Sequence, residues 1–139
     1  MEDSAGIEGV YAYMLSDFEG KGYRDALSNS DVSSREDNVR LIHLGLQIRI
    51  DQAKLYYEDR IKEIAAHIAS RSQAGLNDLA QELETRKKIY SGHLEALEAL
   101  KKELGSSDGT TFRVVHSYLT GFKRGLAAIT YAKILNNGG

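Results

Sequence analysis

A row of apolar side chains repeats every eleven residues through the stretch from Glu36 to Ser72. Its members, spaced by four, four and three residues, are Ile42, Leu46, Ile50, Ala53, Tyr57, Ile61, Ile64 and Ile68, and we call them the inner row. Eleven residues in three turns correspond to about 3.67 residues per turn, so the row stays on one side of a straight α-helix. Such a row needs a packing partner along its length. The pattern therefore predicts one long helix around which the rest of the chain is organised.

A second apolar row accompanies only the first half of this helix. Its members are Leu41, Leu44, Ile48 and Leu55, and we call them the outer row. From Glu58 onward the helix carries almost no apolar residues outside the inner row. A helix with two apolar faces contacts more than one neighbour. We therefore expect the first half to lie inside a bundle and the second half to continue in a two-helix projection.

The next helix is predicted to run from Leu76 to a stop at Gly105. Its seam has heptad spacing and consists of Leu76, Leu79, Leu83, Arg86, Tyr90, His93, Leu97, Leu100 and Leu104. Apolar residues are sparse early and frequent late, which is the reverse of the preceding helix and favours an antiparallel hairpin that turns at Gly75. This register places Tyr57 beside Gly92, where the missing side chain would make room for the ring.

The alternative is one fused helix that continues through Gly75 and pairs only with another chain. A glycine in a helix interior costs about 1 kcal/mol, which does not forbid this arrangement.

The N-terminal region predicts a short amphipathic helix over residues Ser4–Phe18, ended by Gly20 and Gly22. A polar loop follows, and Ser33 with Glu36 forms a capping-box pattern that would start the long helix. The chain is thus expected to be all-α, a single domain over residues 1–139, folded as an antiparallel four-helix bundle.

The last helix is predicted over residues Thr111–Leu135, with Asp108 or Thr110 as its cap and a frayed tail after it. Its apolar seam is Phe112, Val115, Leu119, Phe122, Leu126 and Ile129. A second face carries only small side chains, and we call Gly121, Gly125, Ala128 and Ala132 the small face. Small residues four apart allow a neighbouring backbone to approach closely. The small face is therefore the first candidate surface for contact with a partner.

Composition removes several functional classes. The chain has no Cys, which excludes disulfides, zinc–thiolate sites and thiol chemistry. Its formal net charge of -2 argues against a nucleic-acid partner, because phosphate neutralisation needs clustered cations. No apolar run approaches the roughly 20 residues of a membrane span. No signal-peptide core follows Met1, so we expect a cytoplasmic protein, with leaderless export left open.

The four histidines do not form a recognisable metal set. Glu63 and His67 share a helix face, but a di-iron bundle needs a Glu-x-x-His pair on each of two helices, and this pair has one residue too many and no second copy. We therefore predict neither a metal nor a cofactor. Eight tyrosines are present, and Tyr118 and Tyr131 are among the candidates for exposed rings. The alternative is that these rings pack at the rim of the core with only their hydroxyls exposed.

Two Arg/His pairs suggest an enzymatic alternative. Arg60 precedes His67, and Arg86 precedes His93, by seven residues on the same predicted helix. An Arg with a His shortly after it resembles the active-site pattern of HEPN-type ribonucleases, which are small all-α bundles that usually dimerise. The resemblance implies that the His serves in proton transfer and that the Arg holds the scissile phosphate. Ile61 stands where that family usually has a polar residue after the Arg.

The segment around His67 also resembles, more loosely, a histidine phosphotransfer domain, although its cation comes one place late and no Gly follows. A signalling bundle cut from a larger receptor is a further alternative. The absence of a convincing catalytic set favours a non-enzymatic protein–protein interaction or assembly module that self-associates. Its candidate contact surfaces are the small face and, if other helices do not cover it, the part of the outer row formed by Leu41, Leu44 and Ile48.

Overall fold

The computed structural model describes residues 5–106 and 109–138. In these two ranges the secondary structure is entirely helical, which confirms the predicted all-α class. The helices are α1 (Ile7–Met14), α2 (Phe18–Ser28), α3 (Val32–Gln73), α4 (Asn77–Glu103) and α5 (Thr110–Gly138). The described part of the chain divides into two compact units, one with residues 5–12 and 48–102, the other with residues 13–47, 103–106 and 109–138.

Helix α3 is the long helix that the inner row predicted. It has 42 residues, or roughly 60 Å of rise. Six of the eight members of the inner row are buried, and Ile61 and Ile68 are half-buried. The predicted capping box is wrong, because α3 begins one residue before Ser33. The carbonyl of Asp31 accepts the first helical hydrogen bond, from the amide of Arg35, at 3.1 Å.

Gly75 ends α3, as its position predicted. Its φ of +78° is in the left-handed region that only glycine adopts without strain. The amide of Leu76 donates to the carbonyl of Arg71 at 2.9 Å, and the amide of Gly75 donates to the carbonyl of Ser72 at 3.1 Å. This pair of hydrogen bonds is a Schellman motif, which satisfies the last carbonyls of the helix and turns the chain.

In the first unit, side-chain contacts join α4 to the second half of α3. Lys101 forms an ion pair with Asp51 at 2.8 Å, and the Tyr57 ring contacts those of Tyr90 and His93. The predicted neighbourhood of Tyr57 is therefore confirmed. The role predicted for Gly92 is wrong, because a Cβ at this exposed position would meet nothing within 4 Å.

Residues 7–12 of helix α1 also belong to the first unit, and the sequence did not predict their place there. Ile7 and Val10 are buried. The Ile7 amide donates to the hydroxyl of Tyr57 at 2.9 Å, which fixes the start of α1 against α3.

In the second unit, α2 packs against α5. Asp17 caps α2 by accepting from the amide of Gly20 at 2.9 Å. Gly20 and Gly22 lie inside this helix, so the prediction that they end a helix is wrong. The core of the unit consists of Phe18, Ala26, Ile42, Val114, Val115, Tyr118 and Phe122.

The last helix begins and ends slightly outside its predicted limits. Thr110 is its first residue and not its cap, and the alternative cap Asp108 lies outside the described residues. The helix continues beyond Leu135 to Gly138, so most of the predicted tail is helical. Before it, α4 ends at Glu103 and Gly105 has a φ of +85°, in agreement with the predicted stop.

Candidate functional site

The first half of the small face is covered by helix α2 of the same chain. Gly121 and Gly125 are buried, and a Cβ at Gly121 would overlap the backbone carbonyl of Glu19. A Cβ at Gly125 would lie 2.6 Å from the Cβ of Ala26. These two glycines do allow a close approach of backbones, but within the chain, which corrects their prediction as a surface for a partner. Of the remaining small face, Ala128 is half-buried and Ala132 is exposed.

The outer row of α3 is exposed along its whole length. The exposed fractions are 63% for Leu41, 50% for Leu44, 47% for Ile48 and 59% for Leu55. The expectation that the first half of α3 is enclosed on both apolar faces is therefore wrong, because only the inner row is covered. Large aliphatic side chains that recur on one face of one helix form a stripe of the kind that packs against another helix. The outer row is the candidate interaction surface that the fold leaves open.

The two Arg/His pairs lie in different surroundings. The Arg60 guanidinium is 5.0 Å from the centroid of the Tyr56 ring and 3.9 Å from the carboxylate of Glu63. His67 and Arg86 are exposed on the surface, whereas His93 is half-buried against Tyr57 with ring centroids 5.2 Å apart. Seven residues of helix correspond to about 10.5 Å of rise, which separates the members of each pair along its axis.

The ribonuclease hypothesis remains a prediction with a direct test. It requires that purified protein cleaves RNA and that His67→Ala or His93→Ala abolishes the cleavage while helicity and melting temperature are kept. Because His67 is exposed, its substitution is expected to leave the fold intact and gives the cleaner result. Intact RNA after incubation with the wild-type protein would eliminate this hypothesis.

An aromatic pocket lies in the first unit, where α1 meets α3 and α4. Its volume is about 240 Å³, and it is lined by Gly6, Ile7, Glu8, Tyr56, Tyr57, Tyr90 and His93. The Tyr57 ring is central, at 5.2 Å from Tyr56 and 5.6 Å from Tyr90 between ring centroids. Burial raises the pKa of the Tyr57 hydroxyl, the hydrogen bond from the Ile7 amide lowers it, and nearby negative charge, including that of Glu8, raises it further.

The sequence predicted that some of the residues lining this pocket lie close together. Tyr57 and His93 were on predicted seams that face each other, and Tyr90 belongs to the same seam as His93. The contribution of Glu8 was missed, because no local pattern shows where an eight-residue helix docks.

The carboxylate of Asp25 is the centre of a polar network in the second unit. Its Oδ2 accepts from the hydroxyl of Tyr118 at 2.9 Å, from the amide of Asn38 at 3.3 Å and from the ammonium of Lys21 at 3.1 Å. The Asn38 amide also donates to the Tyr118 hydroxyl at 2.9 Å. Tyr118 is fully buried, so the prediction that it reaches the surface is wrong. These contacts join α2, α3 and α5, and they are typical of a structural network.

Residues 5–106 and 109–138 contain no cluster of three or more His, Asp or Glu side chains placed to hold a metal ion. Over the same ranges, every helix is too short or too polar to cross a membrane.

Comparisons of the chain with protein-family models, curated proteins and solved structures give no match. A functional proposal therefore depends on the geometry of the surfaces described above.

Proposed function

We propose that this chain is a helical protein–protein interaction or assembly module that self-associates through the outer row of α3. The supporting observation is the exposure of four large aliphatic side chains on one face of one continuous helix, while the opposite face supplies the core. Isolated exposed leucines are ordinary on protein surfaces, but a contiguous stripe at helical spacing is a feature of interaction sites.

The expected association is reversible and depends on concentration. Each outer-row side chain is already partly covered, so its further burial contributes about 1 kcal/mol. Two copies would bury eight such side chains and gain about 8 kcal/mol in total. Association itself costs about 4–15 kcal/mol. At the lower end of that cost the net gain is about 4 kcal/mol, which corresponds to a dissociation constant of about 1 mM. The oligomer should therefore exchange with monomer at millimolar concentrations.

Substituting Leu44 tests the proposal. In Leu44→Glu the charge would have to be buried in the interface, so we expect the oligomer to dissociate to monomer at every accessible concentration. Light scattering across a concentration series gives the mass, and circular dichroism on the same samples gives the helicity, which should not change because Leu44 is at the surface.

The matched control is Leu15→Glu. Leu15 is 85% exposed and lies outside the outer row, so this variant removes a more exposed leucine and adds the same charge. It should retain the mass of the wild type. A wild-type protein that is monomeric at all concentrations, or a Leu44→Glu variant with unchanged mass, would contradict self-association through the outer row.

A further inference from the structure

The packing between α3 and α4 changes from aliphatic to aromatic at one level. Ile50, Ile64 and Leu97 are buried along the two helices. Between these aliphatic positions, Tyr57 of α3 meets Tyr90 and His93 of α4. This is also the level at which the start of α1 docks, through the hydrogen bond to Tyr57. The rings are therefore concentrated beside an open pocket and are not spread along the seam.

The lining of the aromatic pocket includes four rings. Tyr56, Tyr90 and His93 are half-buried, so each presents part of its surface to the pocket or to solvent, whereas Tyr57 is buried. The Tyr56 and Tyr57 rings are inclined at 75°, and Tyr57 is tilted by 38° to His93. Rings at several inclinations can direct more than one π-face toward the same small space.

Two charged side chains affect which ligand the pocket accepts. Glu8 lines the pocket and is exposed, so it supplies negative charge there. The Arg60 guanidinium lies 5.0 Å from the centroid of the Tyr56 ring and already occupies one face of it, and the Glu63 carboxylate at 3.9 Å partly offsets its positive charge. The electron-rich faces of tyrosine rings attract cations in general, and this attraction strengthens when the cation is partly desolvated.

The backbone amides at the start of α1 are not all available to bind an anion, because two of them are used inside the protein. The Ile7 amide donates to Tyr57, and the Gly9 amide donates to the carbonyl of Gly6 at 3.1 Å. The carboxylate of Glu8 would also repel an anion.

We propose that the aromatic pocket binds the quaternary ammonium group of a small ligand, of which choline is the simplest natural representative. A volume of about 240 Å³ is below the range of about 300–1,000 Å³ typical of sites for drug-sized ligands, and it suits a single trimethylammonium group. The rings contact the methylated cation through cation–π attraction, and Glu8 supplies the counter-charge.

Choline and its neutral isostere 3,3-dimethylbutan-1-ol provide the decisive comparison, since they share a shape and differ in charge. Ligand-observed NMR titration of the full chain should show saturable binding of choline in the millimolar range and much weaker binding of the isostere. Equal binding of the two compounds, or no choline binding, would overturn the proposal. Cosedimentation with phosphatidylcholine vesicles distinguishes a lipid headgroup from a free small molecule as the source of the group.

Two substitutions locate the site. Tyr90→Leu removes one ring and should weaken choline binding roughly fivefold. Glu8→Gln is at the exposed rim, where it leaves the fold intact, and should weaken binding by a factor of a few. Tyr131→Leu removes an exposed tyrosine from α5 and should leave binding unchanged. Unchanged affinity in Glu8→Gln together with unchanged affinity in a folded Tyr90→Leu would place binding elsewhere and overturn the assignment.

Discussion

Replacing Gly121 with alanine is expected to lower the free energy of unfolding by about 3 kcal/mol or more, a large effect for one methyl group. The new Cβ would overlap the carbonyl oxygen and carbon of Glu19, which are main-chain atoms of α2. Because no side-chain rotation can relieve that overlap, the two helices must separate. Separation would loosen the packing around Tyr118 and Phe122, the two largest fully buried side chains.

Gly92→Ala is the matched control. This glycine lies inside helix α4, and its Cβ would meet nothing within 4 Å. Alanine allows the unfolded chain fewer backbone conformations than glycine does, and it is the better helix former. The substitution should therefore stabilise the protein by about 1 kcal/mol. Urea unfolding followed by circular dichroism should therefore shift in opposite directions for the two variants. Similar shifts in both would show that α2 and α5 are not in close contact at Gly121.

The long helix could be predicted because its signals are local and agree with each other. The period of the inner row specifies one continuous helix, and Gly75 supplies the positive φ that the Schellman motif requires. The ring contacts of Tyr57 with Tyr90 and His93 also agree with the predicted seam register, which placed Tyr57 beside Gly92.

Helix α2 could not be predicted from its own residues. Gly20 and Gly22 are poor helix formers, and propensity alone places a break there. Gly22 is nevertheless inside the helix. Its position requires glycine, because a Cβ there would overlap the carbonyl oxygen of Tyr118 in α5. Gly22, which looks like a helix breaker, is therefore a contact residue, and only its distant partner reveals that.

The sequence also predicted only part of each candidate contact surface. Whether Leu41, Leu44 and Ile48 are exposed depends on whether other helices cover them. The sequence does not show where those helices end, so this surface could be predicted only on the condition that it is left uncovered. The small face was recognised correctly as a place of close approach at Gly121 and Gly125, but its partner proved to be α2 and not another chain. Spacing identifies a packing face, and it does not identify what packs there.

Removing the hydroxyl of Tyr118 is expected to cost about 2 kcal/mol of stability at neutral pH. In Tyr118→Phe, Asp25 loses a hydrogen-bond donor and Asn38 loses an acceptor, although the buried ring keeps its packing. Urea unfolding of both proteins at pH 7 measures the difference. If Tyr118→Phe is as stable as the wild type, the network contributes nothing to folding.

The same pair of proteins makes a prediction at alkaline pH. Burial raises the pKa of Tyr118 to about 12 in the folded protein, while the hydrogen bond from Asn38 lowers it and the hydrogen bond to Asp25 raises it further. In the unfolded chain a tyrosine has a pKa of about 10, so the stabilisation is complete below pH 10 and is lost as pH rises toward 12.

By pH 11 the advantage of the wild type over Tyr118→Phe should therefore shrink by roughly 1.4 kcal/mol, because one pH unit separates that condition from the unfolded pKa. The two proteins differ only at this hydroxyl, so the contributions of all other groups cancel in the comparison. An advantage that stays constant from pH 9 to pH 11 would contradict the raised pKa and would mean that the Tyr118 hydroxyl is hydrated in the folded state. A shrinking advantage would show that the neutral phenol joins α2, α3 and α5 in solution.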